Sequence, residues 1–151
     1  MAPSLLRVPL TLLGLVAMSD WNTKVIEEFR ANDGKVEQFG GAPLVILSTI
    51  GAKSGQIRET PLVALVEGDD MYVFASKAGA PTNPDWYHNL KAHPEINVEY
   101  GSESFTGRLE ELPQAEGQAA LRRQAEIMPQ FGEYVESAAP RVIPVFSIHR
   151  L

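Results

Sequence analysis

The sequence contains no cysteine, and this absence excludes several kinds of chemistry together. Without cysteine the chain forms no disulfide, carries no thiolate nucleophile and builds no zinc–sulfur site. The three histidines, His88, His93 and His149, do not have the spacing that is typical of metal ligands. We therefore expect no bound metal, and a cytoplasmic location suits a chain without disulfides.

The chain also lacks an excess of positive charge. It has 13 lysine and arginine residues against 19 aspartate and glutamate residues, which gives a formal net charge of -6. This balance argues against a general nucleic-acid binder and against binding to anionic membranes through charge alone. An anionic ligand must therefore be bound by a local group of cations.

Long hydrophobic runs are missing as well. The first apolar segment, Leu5–Met18, is interrupted by arginine, proline and glycine and is shorter than the span of about 20 residues that crosses a membrane. Three interpretations remain open: an apolar extension, a peripheral contact with the inner face of the cell membrane, or an artefact of start-site choice with Met18 as the first residue. We expect residues 19–151 to form a single domain.

Apolar and turn residues alternate along the chain in a way that predicts short strands with helices between them. The first helix is expected to be capped by Ser19 or Asp20, to carry Trp21, Val25 and Phe29 on one face, and to stop at Asn32-Asp33-Gly34. These elements favour an α+β protein built on a closed or half-open, mainly antiparallel β-barrel. The predicted strands are Leu44–Ile50, Thr60–Glu67, Met71–Ser76, Ile96–Tyr100, Ser104–Leu112 and Val142–Ile148, and two further helices are predicted over 85–92 and 113–128.

The turn between the first two strands combines glycine with positive charge. Gly51 and Gly55 let the backbone approach a ligand, Lys53 and Arg58 add cations, and no acidic residue lies between Gly51 and Arg58. The turn is not a phosphate-binding P-loop, because Ala52 occupies a required glycine position and a strand follows. It is either an anion-binding turn or a glycine hairpin with a solvated lysine.

A second motif extends from Ala75 to Asn89. A strand end delivers Ser76 and Lys77 into a loop of small residues, and a helix begins at Asp85. A hydroxyl, an ammonium group and the backbone donors of a helix N-terminus are thereby placed close together. The aromatic residues that follow, Trp86 and Tyr87, either add a flat apolar surface or pack the helix onto the barrel.

The two motifs at this separation resemble the deazaflavin-dependent nitroreductase and quinone reductase family, whose members use coenzyme F420. The resemblance covers nearly all of residues 21–151. It implies a split β-barrel of about six strands and an oxidoreductase that transfers a hydride from reduced F420 to a quinone or an activated nitro compound. It also implies that the turn with Lys53 meets the phosphate-bearing tail of the cofactor.

The resemblance further implies which residues surround the two ligands. Ser76 or Tyr134 is expected to donate a hydrogen bond to the acceptor, and Met128, Phe131 and Tyr134 are expected to line the acceptor pocket or to pack the last helical segment. The implied cofactor-binding residues are Ala52, Lys53, Ser54, Arg58, Glu59, Thr60, Pro61, Leu62, Val63, Phe74, Ala75, Ser76, Lys77, Asp85, Trp86, Tyr87, His88 and Asn89.

One position departs from the family pattern. Members commonly have arginine before the lysine of the turn, whereas this chain has Ala52, so one charge-assisted contact with the cofactor is missing. Two other functions stay open on the sequence alone. One is an FMN-dependent oxidoreductase on a similar barrel, and the other is a non-catalytic carrier of a deazaflavin or a lipid-like ligand.

Overall fold

The structure, a computed structural model, describes the backbone of residues 10–151 and the side chains from residue 20 onward. The prediction for the first nine residues therefore lies outside the described part of the chain. In chain order the elements are α1 (Leu10–Ala31), β1 (Leu44–Ile50), β2 (Ile57–Val63), β3 (Leu65–Glu67), β4 (Asp70–Phe74), α2 (Asp85–Ala92), β5 (Glu95–Tyr100), β6 (Glu103–Glu111), α3 (Gln114–Ile127), α4 (Gln130–Ala138) and β7 (Val145–Arg150).

The strands form one antiparallel sheet that closes on itself. Its order is β2-β1-β5-β6-β7-β4-β3, so the two edge strands are consecutive in the chain and are separated only by Ala64. The backbone N–H of Ala64 donates to the carbonyl of Pro43, and the chain bends there from one edge to the other. Counted as one bent strand, β2 and β3 give a six-stranded barrel. The predicted split barrel is confirmed.

The first strand begins with four consecutive apolar residues, 44–47, because both of its faces are covered there. Val45 and Leu47 point into the barrel interior, while Leu44 and Ile46 contact a separate cluster that includes Phe29 of α1. Such burial on both faces accounts for a run of apolar residues where an alternating pattern would otherwise be expected. A third cluster packs α3 and α4 against the other side of the sheet.

Helix α1 is longer than the sequence predicted. It begins at Leu10, so the predicted cap at Ser19 or Asp20 is wrong, and the cause is that residues 10–18 contain mostly strong helix formers. Its end is as expected, with Gly34 at a φ of 91° three residues after the helix. Among the described residues, no helix has both the length and the hydropathy that crossing a membrane requires.

Other elements also differ from the prediction. The predicted strand Thr60–Glu67 starts earlier, at Ile57, and is broken by the bend at Ala64. The last strand is shifted to Val145–Arg150. Helix α4 was not predicted, because Pro129 and Gly132 weaken its helical pattern.

Candidate functional site

A cleft with a volume of about 1290 Å³ opens where β1 turns into β2. Its walls come from three elements that are distant in sequence, namely α1, the β1–β2 turn with the first residues of β2, and the start of α2. The lining residues are Asn22, Thr23, Ile26, Thr49, Gly51, Ala52, Lys53, Ser54, Ile57, Arg58, Glu59, Thr60, Asp85, Trp86, His88 and Asn89.

The β1–β2 turn is a closed loop held by its own hydrogen bonds. The N–H of Gly51 donates to the carbonyl of Gln56 at 2.8 Å, and the N–H of Gly55 donates to the carbonyl of Gly51 at 2.9 Å. Gly55 has a φ of 71°, which favours glycine, and a Cβ at Gly51 would overlap the Ser54 hydroxyl. Glycine is therefore favoured at position 55 by its backbone conformation, whereas a side chain at position 51 would force the Ser54 hydroxyl to move.

Two cations on this turn are available to a ligand. Lys53 and Arg58 are exposed and line the cleft. Within residues 20–151, neither side chain forms an ion pair with a carboxylate. An anion that enters the cleft would thus meet two positive charges that no acidic neighbour already neutralises.

The acidic residue that follows Arg58 is paired with an arginine, which it shares with a second carboxylate. Glu59 also lines the cleft, but its carboxylate accepts a hydrogen bond from Arg30 of α1 at 2.6 Å, and the same guanidinium binds Glu99 of β5 at 2.7 Å. The hydrogen bonds to Glu99 and then to Glu59 raise the pKa of Arg30 above its ordinary value. This triad fixes α1 over the sheet and limits the repulsion between Glu59 and a bound anion.

Asn89 fixes the turn to α2. Its side-chain oxygen accepts a hydrogen bond from the N–H of Ala52 at 3.0 Å, and its amide group donates to the Thr49 hydroxyl at 3.2 Å. Thr49 is completely buried and Asn89 nearly so. The sequence implied cofactor contact for Asn89 and did not identify Thr49. In the structure, the Asn89 side chain positions the backbone that carries Lys53.

Replacing Asn89 with alanine is expected to lower the free energy of unfolding by about 1–3 kcal/mol, because the Ala52 N–H loses its acceptor and the buried Thr49 hydroxyl loses the donor that binds it. It should also weaken ligand binding in the cleft several-fold, since the turn is no longer held. Thermal denaturation and fluorescence titration measure the two effects. Asn97→Ala, which removes an exposed amide on β5, is the control. Equal behaviour of the two variants would contradict the role of Asn89.

Ten of the predicted cofactor-binding residues line the cleft: Ala52, Lys53, Ser54, Arg58, Glu59, Thr60, Asp85, Trp86, His88 and Asn89. Trp86 belongs to this set although its ring also packs on Phe146 at a centroid distance of 5.9 Å, so one ring serves both the core and the cleft. The remaining eight do not line it: Pro61, Leu62, Val63, Phe74, Ala75, Ser76, Lys77 and Tyr87. Of these, Tyr87 packs on Phe146, and Phe74 and Ala75 are buried in the core.

The elements that carry the predicted acceptor residues Ser76 and Tyr134 are in contact at a second place, between α4 and a short 3-10 turn over Lys77–Gly79. A Cβ at Gly79 would lie 2.8 Å from the Ser137 Cβ and 3.1 Å from the Tyr134 Cα, so the turn and the helix are in direct contact. Ser76 immediately precedes this turn, and Tyr134 is half-buried on the helix. The contact between the turn and α4 is compatible with a joint role of Ser76 and Tyr134 toward the acceptor, and that role stays a prediction.

The other two predicted substrate residues take part in packing. Phe131 is only 6% exposed and lies edge-on to both Phe74 and Tyr134, with centroid distances of 5.6 Å and 5.2 Å. Met128 is half-buried against the same cluster, and its sulfur accepts a hydrogen bond from Gln124. Of the three candidates, Tyr134 alone carries a hydroxyl, and its side chain is half-buried.

Comparison with known proteins agrees with the resemblance found in the sequence. A family model described as F420H(2)-dependent quinone reductase matches residues 21–149. An F420H(2)-dependent quinone reductase of Mycobacterium tuberculosis strain H37Rv is 39% identical over 79 residues, which is 51% of this chain and 53% of that protein. The match thus spans about half the length of this curated relative.

Solved structures agree on the architecture. A structure of an F420-H2 dependent reductase superposes with a TM-score of 0.63 at 35% identity, and the match covers 71% of this chain and 94% of that one. A Clostridium acetobutylicum protein of the pyridoxinephosphate oxidase family, related to general stress protein 26, has a TM-score of 0.52 at 14% identity over 85% of this chain and 84% of its own. At that identity the second similarity concerns the fold alone.

Proposed function

The chain belongs to the F420H(2)-dependent quinone reductase family, and from this membership we propose that it binds reduced coenzyme F420 and reduces a quinone. The observation that carries the proposal is the cleft with the exposed Lys53 and Arg58, two cations without an ion-pair partner within residues 20–151. A cofactor with a phosphate-bearing tail needs such donors. The donor set fits that group.

We assign the tail to the β1–β2 turn. Lys53 and Arg58 would bind its negative charge, and the Ser54 hydroxyl has a proton to donate because it accepts its hydrogen bond from the N–H of Gln56 at 3.2 Å. The N–H of Ala52 donates to Asn89 and is not available to the ligand. Trp86 of α2 adds an apolar surface to the lining of the cleft.

When bound, the reduced deazaflavin supplies a two-electron hydride. The chain's own residues must then orient the acceptor and stabilise the charge that develops on the quinone oxygen. We propose that the Ser76 and Tyr134 hydroxyls donate hydrogen bonds to that oxygen, since the turn that follows Ser76 contacts the helix that carries Tyr134.

A binding and turnover experiment tests this proposal. The purified chain is titrated with F420 and with FMN, and the oxidation of reduced F420 is then followed with menadione and, separately, with an activated nitro compound. We expect F420 to bind in preference to FMN, and menadione to accelerate oxidation. Binding without turnover would indicate a carrier, while turnover with FMN alone would indicate a flavin enzyme. Either result would refute the proposed activity.

Replacing Ala52 with arginine is expected to tighten F420 binding several-fold at low ionic strength. Ala52 is exposed and lines the cleft, so an arginine there adds a fork-shaped donor beside Lys53. The gain should shrink as salt is added, because exposed charges are screened over about 8–10 Å at physiological ionic strength. Fluorescence titration at two salt concentrations measures it. Ala52→Gln, which adds length without charge, is the control.

A further inference from the structure

Arg141, four residues before β7, binds a segment that lies some sixty residues earlier in the chain. Its guanidinium donates to the carbonyl of Ala75 at 3.0 Å, of Ser76 at 2.9 Å and of Ala80 at 2.7 and 3.0 Å, and to the side-chain oxygen of Asn83 at 2.7 Å. One side chain thus holds four acceptors between residues 75 and 83. Among the described residues, all of its hydrogen-bond acceptors are neutral.

A cation with only neutral partners is an unusual way to hold a loop. Arg141 is half-buried, and this burial lowers its pKa relative to an exposed arginine. An ion pair with a carboxylate would compensate that loss of hydration, but the guanidinium is directed to backbone carbonyls instead. Its geometry therefore serves the conformation of the loop more than the neutralisation of charge.

The loop that Arg141 holds contains two residues in the left-handed region. Lys77 has a φ of 47° and Ala78 a φ of 52°, and neither is glycine. Such backbone is unfavourable for residues with a Cβ and persists only where the surroundings impose it. Arg141 binds carbonyls immediately before this pair, at Ala75 and Ser76, and after it, at Ala80. The strained turn is therefore clamped on both sides.

Arg141 is also tied to helix α4. Its backbone N–H donates to the carbonyl of Ala138, the last residue of that helix, at 2.9 Å. The side chain and the backbone of one residue consequently join the end of α4 to the turn after Ser76. These are the two elements that carry the proposed acceptor hydroxyls, Ser76 and Tyr134.

We propose that Arg141 is a positioning residue that holds the strained Lys77–Ala78 turn against α4 and so places the Ser76 hydroxyl for the quinone. The proposal rests on the quinone reductase activity proposed above. Lysine in place of Arg141 keeps the charge but has a single nitrogen, which cannot reach carbonyls on both sides of the turn.

Two variants of the full chain test this. Arg141→Lys is compared with Arg123→Lys, which changes a guanidinium that donates to both carboxylate oxygens of Glu67 and lies outside the cleft lining. Hydrogen–deuterium exchange without cofactor is measured at Gly79 and Ala80, whose N–H groups bond within the turn. The affinity for F420 and the kinetics of menadione reduction are then measured for each variant. A cycle with Ser76→Ala then measures whether the two residues act together.

In Arg141→Lys we expect exchange at Gly79 and Ala80 to be about tenfold faster and exchange over residues 49–58 to be unchanged. F420 affinity should stay within about twofold of the parent, while kcat for menadione falls by roughly tenfold or more. The double variant with Ser76→Ala should lose no more than the worse single variant. Arg123→Lys should match the parent in all three measurements.

The contrary results are distinct. Unchanged exchange at Gly79 and Ala80, or exchange raised evenly along the chain, would overturn the clamp. Exchange raised locally with parental kcat would show that the turn does not position an acceptor group, and independent losses from Arg141→Lys and Ser76→Ala would show the same. If the parent chain itself does not oxidise reduced F420 with menadione, the proposed function fails and the role toward the quinone falls with it, while exchange still decides whether Arg141 holds the turn.

Discussion

Replacing both Lys53 and Arg58 with alanine is expected to weaken F420 binding by roughly a hundredfold at low ionic strength. Both cations line the cleft, and neither is paired with a carboxylate within residues 20–151, so each is available to the anionic tail. Because both side chains are exposed, the melting temperature should change little. Fluorescence titration of the double variant measures the loss, which should become smaller as salt is added.

The matched control removes the same two charges from elsewhere on the surface. Lys35→Ala and Arg108→Ala together change two exposed cations that do not line the cleft. If this control loses as much affinity as the Lys53 and Arg58 variant, F420 binding depends on the overall charge of the protein and not on the two cations of the turn. If the turn variant binds F420 as the parent does, the assignment of the tail to the cleft is wrong.

The cleft turn was readable from the sequence because everything that defines it is local. The apolar strand β1, strand β2, two glycines and two cations fall within 20 residues, 44–63, and the antiparallel pairing of the strands follows from turn chemistry. The barrel was predictable for a similar reason, since each strand had its own pattern. The bend at Ala64 was not, because it depends on the neighbouring strands: Ala64 still bonds to Pro43 beside β1, whereas Leu65 pairs with Tyr72 of β4.

The residues that hold the site in place could not be predicted from local sequence patterns. Asn89 meets Thr49 across 40 positions, and Arg141 meets Ser76 across 65, so no local pattern connects either pair. The signal available was weak in both cases: an asparagine on an otherwise apolar side of a short helix, and an isolated arginine after a proline. Their roles follow only from the packing of α2 and α4.

Aromatic spacing gave the least reliable site assignments. Phe131 and Tyr134 are three residues apart on α4 and contact each other, yet Phe131 is buried beside Phe74 while Tyr134 is half-exposed. A sequence pattern shows that two side chains share a helix face, but the depth of that face depends on what packs against it. The same reasoning applies to Trp86, which lies in the core and also lines the cleft.

The contact between the Lys77–Gly79 turn and α4 leads to the second large expected effect, that of replacing Gly79 with alanine. Gly79 has a φ of 82°, and its Cβ would lie 2.8 Å from the Ser137 Cβ and 3.1 Å from the backbone of Tyr134. Strain and overlap together should lower the free energy of unfolding by roughly 2–4 kcal/mol. Turnover of menadione should fall as well, because the added methyl group separates Ser76 from Tyr134.

Gly68→Ala separates the two causes. Gly68 lies in the β3–β4 turn with a φ of 63°, and no atom lies within 4 Å of the position that its Cβ would take, so this control carries backbone strain without overlap. Thermal denaturation should show a loss for Gly79→Ala of about 4–16 °C, well beyond that of Gly68→Ala. F420 affinity should be retained in both variants, since neither glycine lines the cleft. Equal melting temperatures for the two variants would mean that α4 moves aside readily, and parental menadione turnover in Gly79→Ala would mean that the distance between the turn and α4 does not matter to the acceptor.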